Sequence, residues 1–232
     1  MLQRILEPEL MDTAEDAEEY DAMDFSEANT RFAEDALAML GRRENPQVLD
    51  IGTGTARIPI LMLQRRPDLR ILAIDLAQEM LRVAGRNLAE AGFTAQCQLA
   101  RLDAKAIKLP NGRFDLVMCN STAHHIPDPQ LLFNEIHRLA RADGAIVVRD
   151  LHRPTSMDAA WAIVKRVAAG DARRQQQLFF DSLCAALRLS EVQEFVRKSG
   201  LQRMSVYEVS DRHWTAERRA LKAPSIMPAS TA

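Results

Sequence analysis

Apolar residues along this chain switch between two periods. Short apolar runs alternate with longer stretches in which apolar positions recur every three or four residues, the marks of buried strands and amphipathic helices. The strand-like runs are residues 48–51, 70–74, 95–100, 114–119 and 145–148. Between them, residues 57–66, 77–91 and 129–140 carry helical periodicity. Pro59 falls in the first turn of the first helix, where a missing N–H does little harm. Gly92 supplies a stop for the second, and Asp143-Gly144 precedes the fifth strand. Strands that are apolar throughout and separated by helices predict a parallel sheet covered on both faces.

The flanks follow other patterns. Residues 7–24 are strongly acidic without a Lys or Arg, which predicts a solvated face or a mobile arm. Residues 26–40 read as a helix capped by Ser26, with Phe32, Ala36, Leu37 and Leu40 on one face and Gly41 as its stop. After Asp150 the alternation pauses, and residues 156–188 predict an inserted helical lid. Ser190 is placed to cap a further helix ending at Gly200, and residues 202–209 and 212–217 read as two final strands. The tail from Pro224 is Pro, Ser, Ala and Thr and is expected to be disordered.

Composition narrows the classes. The 232 residues suffice for one α/β domain with a full core. No apolar run approaches the roughly 18–20 residues of a membrane helix, and no signal-peptide pattern opens the chain. A formal net charge of −2 argues against a broad nucleic-acid surface. Cys97, Cys119 and Cys184 form no CxxC pair, so neither a disulfide framework nor a zinc site is indicated. A cytoplasmic location is expected.

The strongest chemical signal is Asp50-Ile51-Gly52-Thr53-Gly54-Thr55-Ala56, which follows a strand and opens a helix. Ligands of doubly wound folds bind at that edge. A dinucleotide fingerprint, G-x-G-x-x-G, places Arg57 where its third glycine belongs. An acid-x-G-x-G-x-G loop fits better, with only Ala56 replacing a glycine. A carboxylate beside such a loop favours a cationic ligand over a pyrophosphate.

On these residues, 48–60 (VLDIGTGTARIPI), the chain resembles the class I S-adenosylmethionine (SAM)-dependent methyltransferases. The resemblance covers roughly residues 20–210. It implies a Rossmann-like, seven-stranded, mostly parallel sheet flanked by helices, with an N-terminal helical cap and an inserted helical lid. It divides the chain into an acidic arm and cap (1–45), a SAM-binding domain (46–219, lid about 153–188) and the tail (220–232). It also implies SAM as cofactor, S-adenosylhomocysteine as product, and methyl transfer to O, N or C of a small molecule.

Cofactor contacts are expected from Asp50, Gly52, Thr53 and Gly54, from Asp75 and Leu76 at the end of the second strand, and from Met80 in the following helix. Asp103 and Ala104 follow the third strand, and Asn120 ends the fourth. An acid in the position of Asp75 can accept both ribose hydroxyls. The resemblance gives Asp103 the adenine amino group and lays Met80 against the adenine face. Nucleic-acid amino methyltransferases carry Asn/Asp-Pro-Pro-aromatic where this chain has Asn120-Ser121-Thr122-Ala123, so base methylation is disfavoured.

His124 or His125, just beyond the fourth strand, is expected to activate the acceptor, since a free His titrates near pH 6.5. In ubiquinone-type O-methyltransferases the corresponding stretch holds an acid–His pair that can bind a divalent metal. His124 stands where that acid would be, so no metal ligand is assigned. Residues 20–32 resemble the cap segment of menaquinone and ubiquinone C-methyltransferases, which places Tyr20 and Asn29 at the acceptor. Arg149 at the end of the fifth strand either faces the same cleft or pairs with the N-terminal helix. The cap helices either seal one active site or dock a second subunit as a homodimer. Two competing functions remain: an NAD-type oxidoreductase and a non-catalytic SAM-binding protein.

Overall fold

The computed structural model describes residues 2–7 and 12–221. Its strands are β1 Gln47–Ile51, β2 Arg70–Asp75, β3 Cys97–Arg101, β4 Phe114–Asn120, β5 Ala140–Leu151, β6 Ser205–Ser210 and β7 His213–Arg218. Its helices are α1 Ala14–Ala22, α2 Ser26–Leu40, α3 Arg57–Arg65, α4 Gln78–Ala91, α5 Pro129–Leu139, α6 Met157–Val167, α7 Arg173–Ala185 and α8 Leu189–Lys198. The strands form one sheet in the order β3-β2-β1-β4-β5-β7-β6. β1 to β5 pair in parallel, and β7 lies antiparallel to both β5 and β6.

Alternation along the strands builds two cores. Val48, Leu116, Met118 and Val147 point to the face covered by α2, α3 and α4. Leu49, Ile51, Val117, Cys119, Ile146 and Val148 point to the face covered by α5 and α8. This two-sided burial is why the strands read as continuous apolar runs. The chain winds from β1 outward to β3 and then returns to β4, so the direction of winding reverses between β1 and β4. That reversal opens a crevice at the C-terminal edge of the sheet.

Local chemistry differs from the sequence pattern at several ends. Ser26 is the first residue of α2 and not its cap; Asp24 Oδ1 accepts the Ser26 N–H and hydroxyl instead. Ser190 lies inside α8, whose first turn is closed by Glu191 accepting the Arg188 N–H. The lid is two helices, α6 and α7, packed through Val164, Phe180 and Leu183. α5 runs directly into β5, which begins at Ala140 rather than 145. At Gly144 a Cβ would stand 3.0 Å from the Phe114 carbonyl oxygen, so glycine lets β5 pass the irregularity in β4.

The larger correction concerns the acidic arm. Much of it is α1, docked on α4 with Ala17 against Met80 and Val83. Its carboxylates find arginines on three helices. Glu18 pairs with Arg82 and Arg86, Asp21 with Arg57, and Asp16 and Glu19 with Arg174 of the lid. Asp12 Oδ1 accepts the Glu79 N–H and so caps α4, which has no cap of its own. Exposed pairs contribute little singly, about 0–1 kcal/mol each, but Asp21 is nearly buried and also accepts from Asn87. The tail predicted to be disordered lies outside the described residues.

Candidate functional site

The glycine loop leaves β1 and turns under tight constraints. Gly52 (φ +72) and Gly54 (φ +54) both occupy the left-handed region. At Gly52 a Cβ would fall 2.1 Å from Thr122 Oγ1, so the loop seats directly against the edge of β4. Gly52 N–H and Thr53 N–H both donate to the Ile74 carbonyl, at 2.8 and 2.9 Å. Ala56, standing in the third glycine position, is also left-handed (φ 61) and fully buried. Ala56→Gly is therefore expected to stabilise the fold by about 1 kcal/mol, because an L-residue costs roughly that in this region. Thermal denaturation of the two proteins checks it; a lower melting temperature in the variant would contradict the strain.

Three acids surround the loop. Asp75 ends β2, with Oδ2 accepting the Gly54 N–H at 2.8 Å and Oδ1 the Ala77 N–H at 2.9 Å. Burial raises its pKa, and those backbone donors act in the opposite direction. Asp103 follows β3; its Oδ1 accepts the Lys105 N–H and lies 3.0 Å from Lys105 Nζ. Asp50, within β1, is 2% exposed, and its Oδ2 has no hydrogen-bond partner among the described residues. Burial pushes its pKa up to about 7, and the neighbouring Asp75 charge adds to the rise.

Strand order arranges these groups. The cavity at the sheet edge is lined in turn by residues after β3 (Leu102, Asp103, Ala104, Lys105), after β2 (Asp75, Leu76, Ala77) and after β1 (Gly52, Gly54). It continues to the end of β4 and beyond, with Asn120, Ser121, Thr122, His125 and Ile126. Met80 forms part of the wall, and Tyr20 from α1 lies over the loop; a Cβ on Gly54 would meet Tyr20 Cε1 at 3.5 Å. Ser121 holds a left-handed backbone (φ 53) at the cavity, and its N–H donates to the Arg149 carbonyl. A strained non-glycine residue in such a place marks a functional edge.

Past β4 the chain enters a cluster of histidines and carboxylates. His124 is 4% exposed; its Nδ1 lies 2.5 Å from Asp150 Oδ1, and its backbone N–H donates to Asp150 Oδ2. Burial opposes the charged imidazolium, but Asp150 and Glu7 outweigh it and raise the His124 pKa. The two imidazole rings lie side by side, with centroids 4.1 Å apart. Glu7, from the extended N-terminal segment, places Oε1 3.4 Å from His124 Nε2 and 3.1 Å from His125 Nδ1. Arg4 fastens that segment by donating to the carbonyls of His124, Ile126, Pro127 and Ala185.

The structure thus brings Gly52, Gly54, Asp75, Leu76, Met80, Asp103, Ala104, Asn120, Tyr20 and His125 to one cavity. Asp50 and Thr53 do not line it, and His124 is buried behind His125 against Asp150. Two expected acceptor residues sit elsewhere. Asn29 lies in the first turn of α2 and is not among the lining residues. Arg149 turns to the α2 side, where it pairs with Asp35 at 2.7 Å, donates to Thr215 and stacks on Phe32. Local sequence pattern does not connect Glu7 or Asp150 with the histidines. Nothing local marks Glu7, which lies in an acidic run far from the histidines.

A family model described as a methyltransferase domain matches residues 42–200. The chain belongs to this family. Among curated relatives of the methyltransferase domain, 27-O-demethylrifamycin SV methyltransferase of Amycolatopsis mediterranei is 25% identical over 187 residues, 79% of this chain and 64% of that one. Demethylmenaquinone methyltransferase of Thermus thermophilus is 26% identical over 140 residues, 60% of this chain and 62% of that one. The chain spans less than two thirds of the length of these curated relatives. A crystal structure of a SAM-dependent methyltransferase from Aquifex aeolicus superposes with a TM-score of 0.66 at 19% identity, covering 91% of this chain and 100% of that one. That likeness establishes the Rossmann-like methyltransferase fold. Among the described residues no helix is long and apolar enough to cross a membrane.

Proposed function

We propose that this methyltransferase domain binds SAM along the sheet edge and transfers its methyl group to O, N or C of a small-molecule acceptor. The observation that carries the reading is the pair of acids Asp75 and Asp103 spaced along one cavity edge beside the two-glycine loop, with the buried Asp50 carboxyl behind that loop. An acid of this kind suits a cationic ligand and repels a pyrophosphate, which disfavours the NAD reading. Asp75 has lone pairs left for the two ribose hydroxyls after bracing Gly54 and Ala77. Leu76, Met80, Leu102 and Ala104 offer apolar walls for adenine, and Asp103 an acceptor for its amino group. Asn120, Gly52 and Gly54 line the end of the cavity that would hold the amino-acid part.

When bound, SAM would supply an electrophilic methyl carbon to an electron pair of the acceptor, with S-adenosylhomocysteine as leaving group and the acceptor's proton passing to a base. The protein's share is alignment and exclusion of water. Tyr20 and α1 close the cavity above the loop, and His125 supplies acceptor activation at the β4 end, with His124 behind it held by Asp150. Strand order supports that division: the nucleoside residues follow β2 and β3, and the histidines follow β4 on the other side of the reversal.

Calorimetric titration with SAM and with S-adenosylhomocysteine tests the reading. Micromolar binding of both, about −8 kcal/mol, is expected, with no binding of NADH in a nicotinamide fluorescence titration. Folded protein that binds neither SAM nor its product contradicts the proposal. A screen of acceptors for S-adenosylhomocysteine formation then separates an enzyme from a SAM-binding protein without turnover.

A further inference from the structure

Two imidazoles from the middle of the chain and one carboxylate from its N-terminal segment converge at the β4 end of the cavity. Glu7 Oε1 lies 3.1 Å from His125 Nδ1 and 3.4 Å from His124 Nε2, and the three donor atoms all fall within 4.8 Å of one another. Ligand atoms about 2.1 Å from a shared ion stand roughly 3.0–3.4 Å apart at octahedral to tetrahedral angles. The two Glu7 contacts match that spacing. We propose that Glu7, His124 and His125 bind one divalent transition-metal cation of the zinc, cobalt or manganese class.

Independent features of the site point the same way. The Glu7 side chain is only 9% exposed, and its Oε1 makes no contact of hydrogen-bond geometry among the described residues, its near neighbours being the two imidazole nitrogens. A buried carboxylate oxygen without a donor costs free energy unless a cation answers it. Its other oxygen accepts from Ser182 Oγ, which fixes the carboxylate in place. Asp150 Oδ1 stands 2.5 Å from His124 Nδ1, so in the neutral ring that nitrogen carries the proton and Nε2 is left with a lone pair towards Glu7. A carboxylate behind the imidazole is the usual support of a metal-bound histidine. Arg4 ties the N-terminal segment to the carbonyls around the histidines, so the carboxylate is delivered by an anchored segment.

In the sequence His124 stands where the acid of an acid–His pair would be, which gives no metal ligand set there. The fold supplies the acid from residue 7 instead. Because His125 lines the cavity with Thr122 and Ile126, an ion there leaves coordination positions directed at a bound molecule. This last step rests on the proposed methyl transfer: the ion would anchor an oxygen of the acceptor and lower the pKa of a hydroxyl, so that the histidines activate the acceptor as ligands.

The test titrates the full chain, stripped with a chelator, with cobalt(II) chloride, followed by visible absorption, and measures bound zinc by elemental analysis after dialysis. One equivalent of saturable cobalt with ligand-field bands is expected. Glu7→Gln should weaken binding at least about tenfold, and Asp150→Asn about 10–100-fold. Circular dichroism of each variant shows that the fold is intact, and calorimetry with S-adenosylhomocysteine reads the cofactor site separately. Cobalt that fails to bind protein competent for S-adenosylhomocysteine overturns the metal site and leaves the cofactor reading standing. Saturable cobalt binding lost in Glu7→Gln, in protein blind to S-adenosylhomocysteine, upholds the metal site and defeats the cofactor reading. Affinity unchanged in both Glu7→Gln and a His124→Ala, His125→Ala double variant means that the ion sits elsewhere, and also overturns the proposal.

Discussion

Asp75→Ala is expected to lower SAM affinity by at least about 100-fold. The carboxylate does two things at once. It braces the loop through Gly54 and the start of α4 through Ala77, and it is the acid placed for both ribose hydroxyls. Hydrogen bonds to a charged group contribute about 1.5–3 kcal/mol each, so two lost to the ligand amount to roughly 3–6 kcal/mol. The loop amide left without its acceptor adds mobility where the ligand needs order. Titration calorimetry measures the change directly. Asp75→Asn, which keeps one acceptor oxygen, should fall between the two proteins. Binding by the alanine variant within about threefold of the parent would refute the assignment of this acid to the ribose.

Asp50→Asn has the second large effect, and it acts in opposite directions on stability and affinity. The pKa of Asp50 is raised from its ordinary value of 3.8 to about 7, chiefly by burial. The empty folded protein therefore holds a proton on Asp50 that the unfolded chain releases between pH 3.8 and about 7. Its contribution to stability is lost as pH rises through that window. Above it, the buried charge costs at most about 4 kcal/mol, with 1.36 kcal/mol per pKa unit. The asparagine variant lacks this cost. It should melt several degrees higher than the parent at pH 8, and the gap should close as the pH is lowered towards 4. SAM affinity should fall about 10–100-fold in the variant, since the negative charge behind the loop that favours a cationic ligand is lost. In the parent, affinity should strengthen as pH rises through about 7, because below it binding a cation must first expel the proton. Melting curves and titrations at three pH values give both effects. A variant less stable than its parent at pH 8 would show that the aspartate is structurally paired.

These two acids illustrate how far local pattern reaches. Asp50 and Asp75 were legible because each closes or lies within a short apolar run beside the glycine pair, and strand ends in a doubly wound sheet gather at one edge. Asp103 was legible for the same reason. The helices of the central domain followed from periodicity, with errors at their ends, where Asp24 and Glu191 do the capping that Ser26 and Ser190 were expected to do. Charge patterning failed on the arm. An acidic run without a basic residue has the composition of a solvated face, yet α1 meets arginines contributed by α3, α4 and α7. Their complementarity exists only after the sheet has assembled.

The sequence by itself determined the order of strands and helices, the glycine loop and the edge acids, because each depends on neighbours within a few residues: a side-chain period, a backbone that must turn, a strand that must stop. Tertiary structure alone decided which distant groups share a site. It turned Arg149 away to Asp35 and buried His124 against Asp150. It also bound Arg4 to the His124 carbonyl 120 residues along the chain, which carries Glu7 to the histidines. Contacts of that range are set by how the layers pack, and no local rule of sequence contains them.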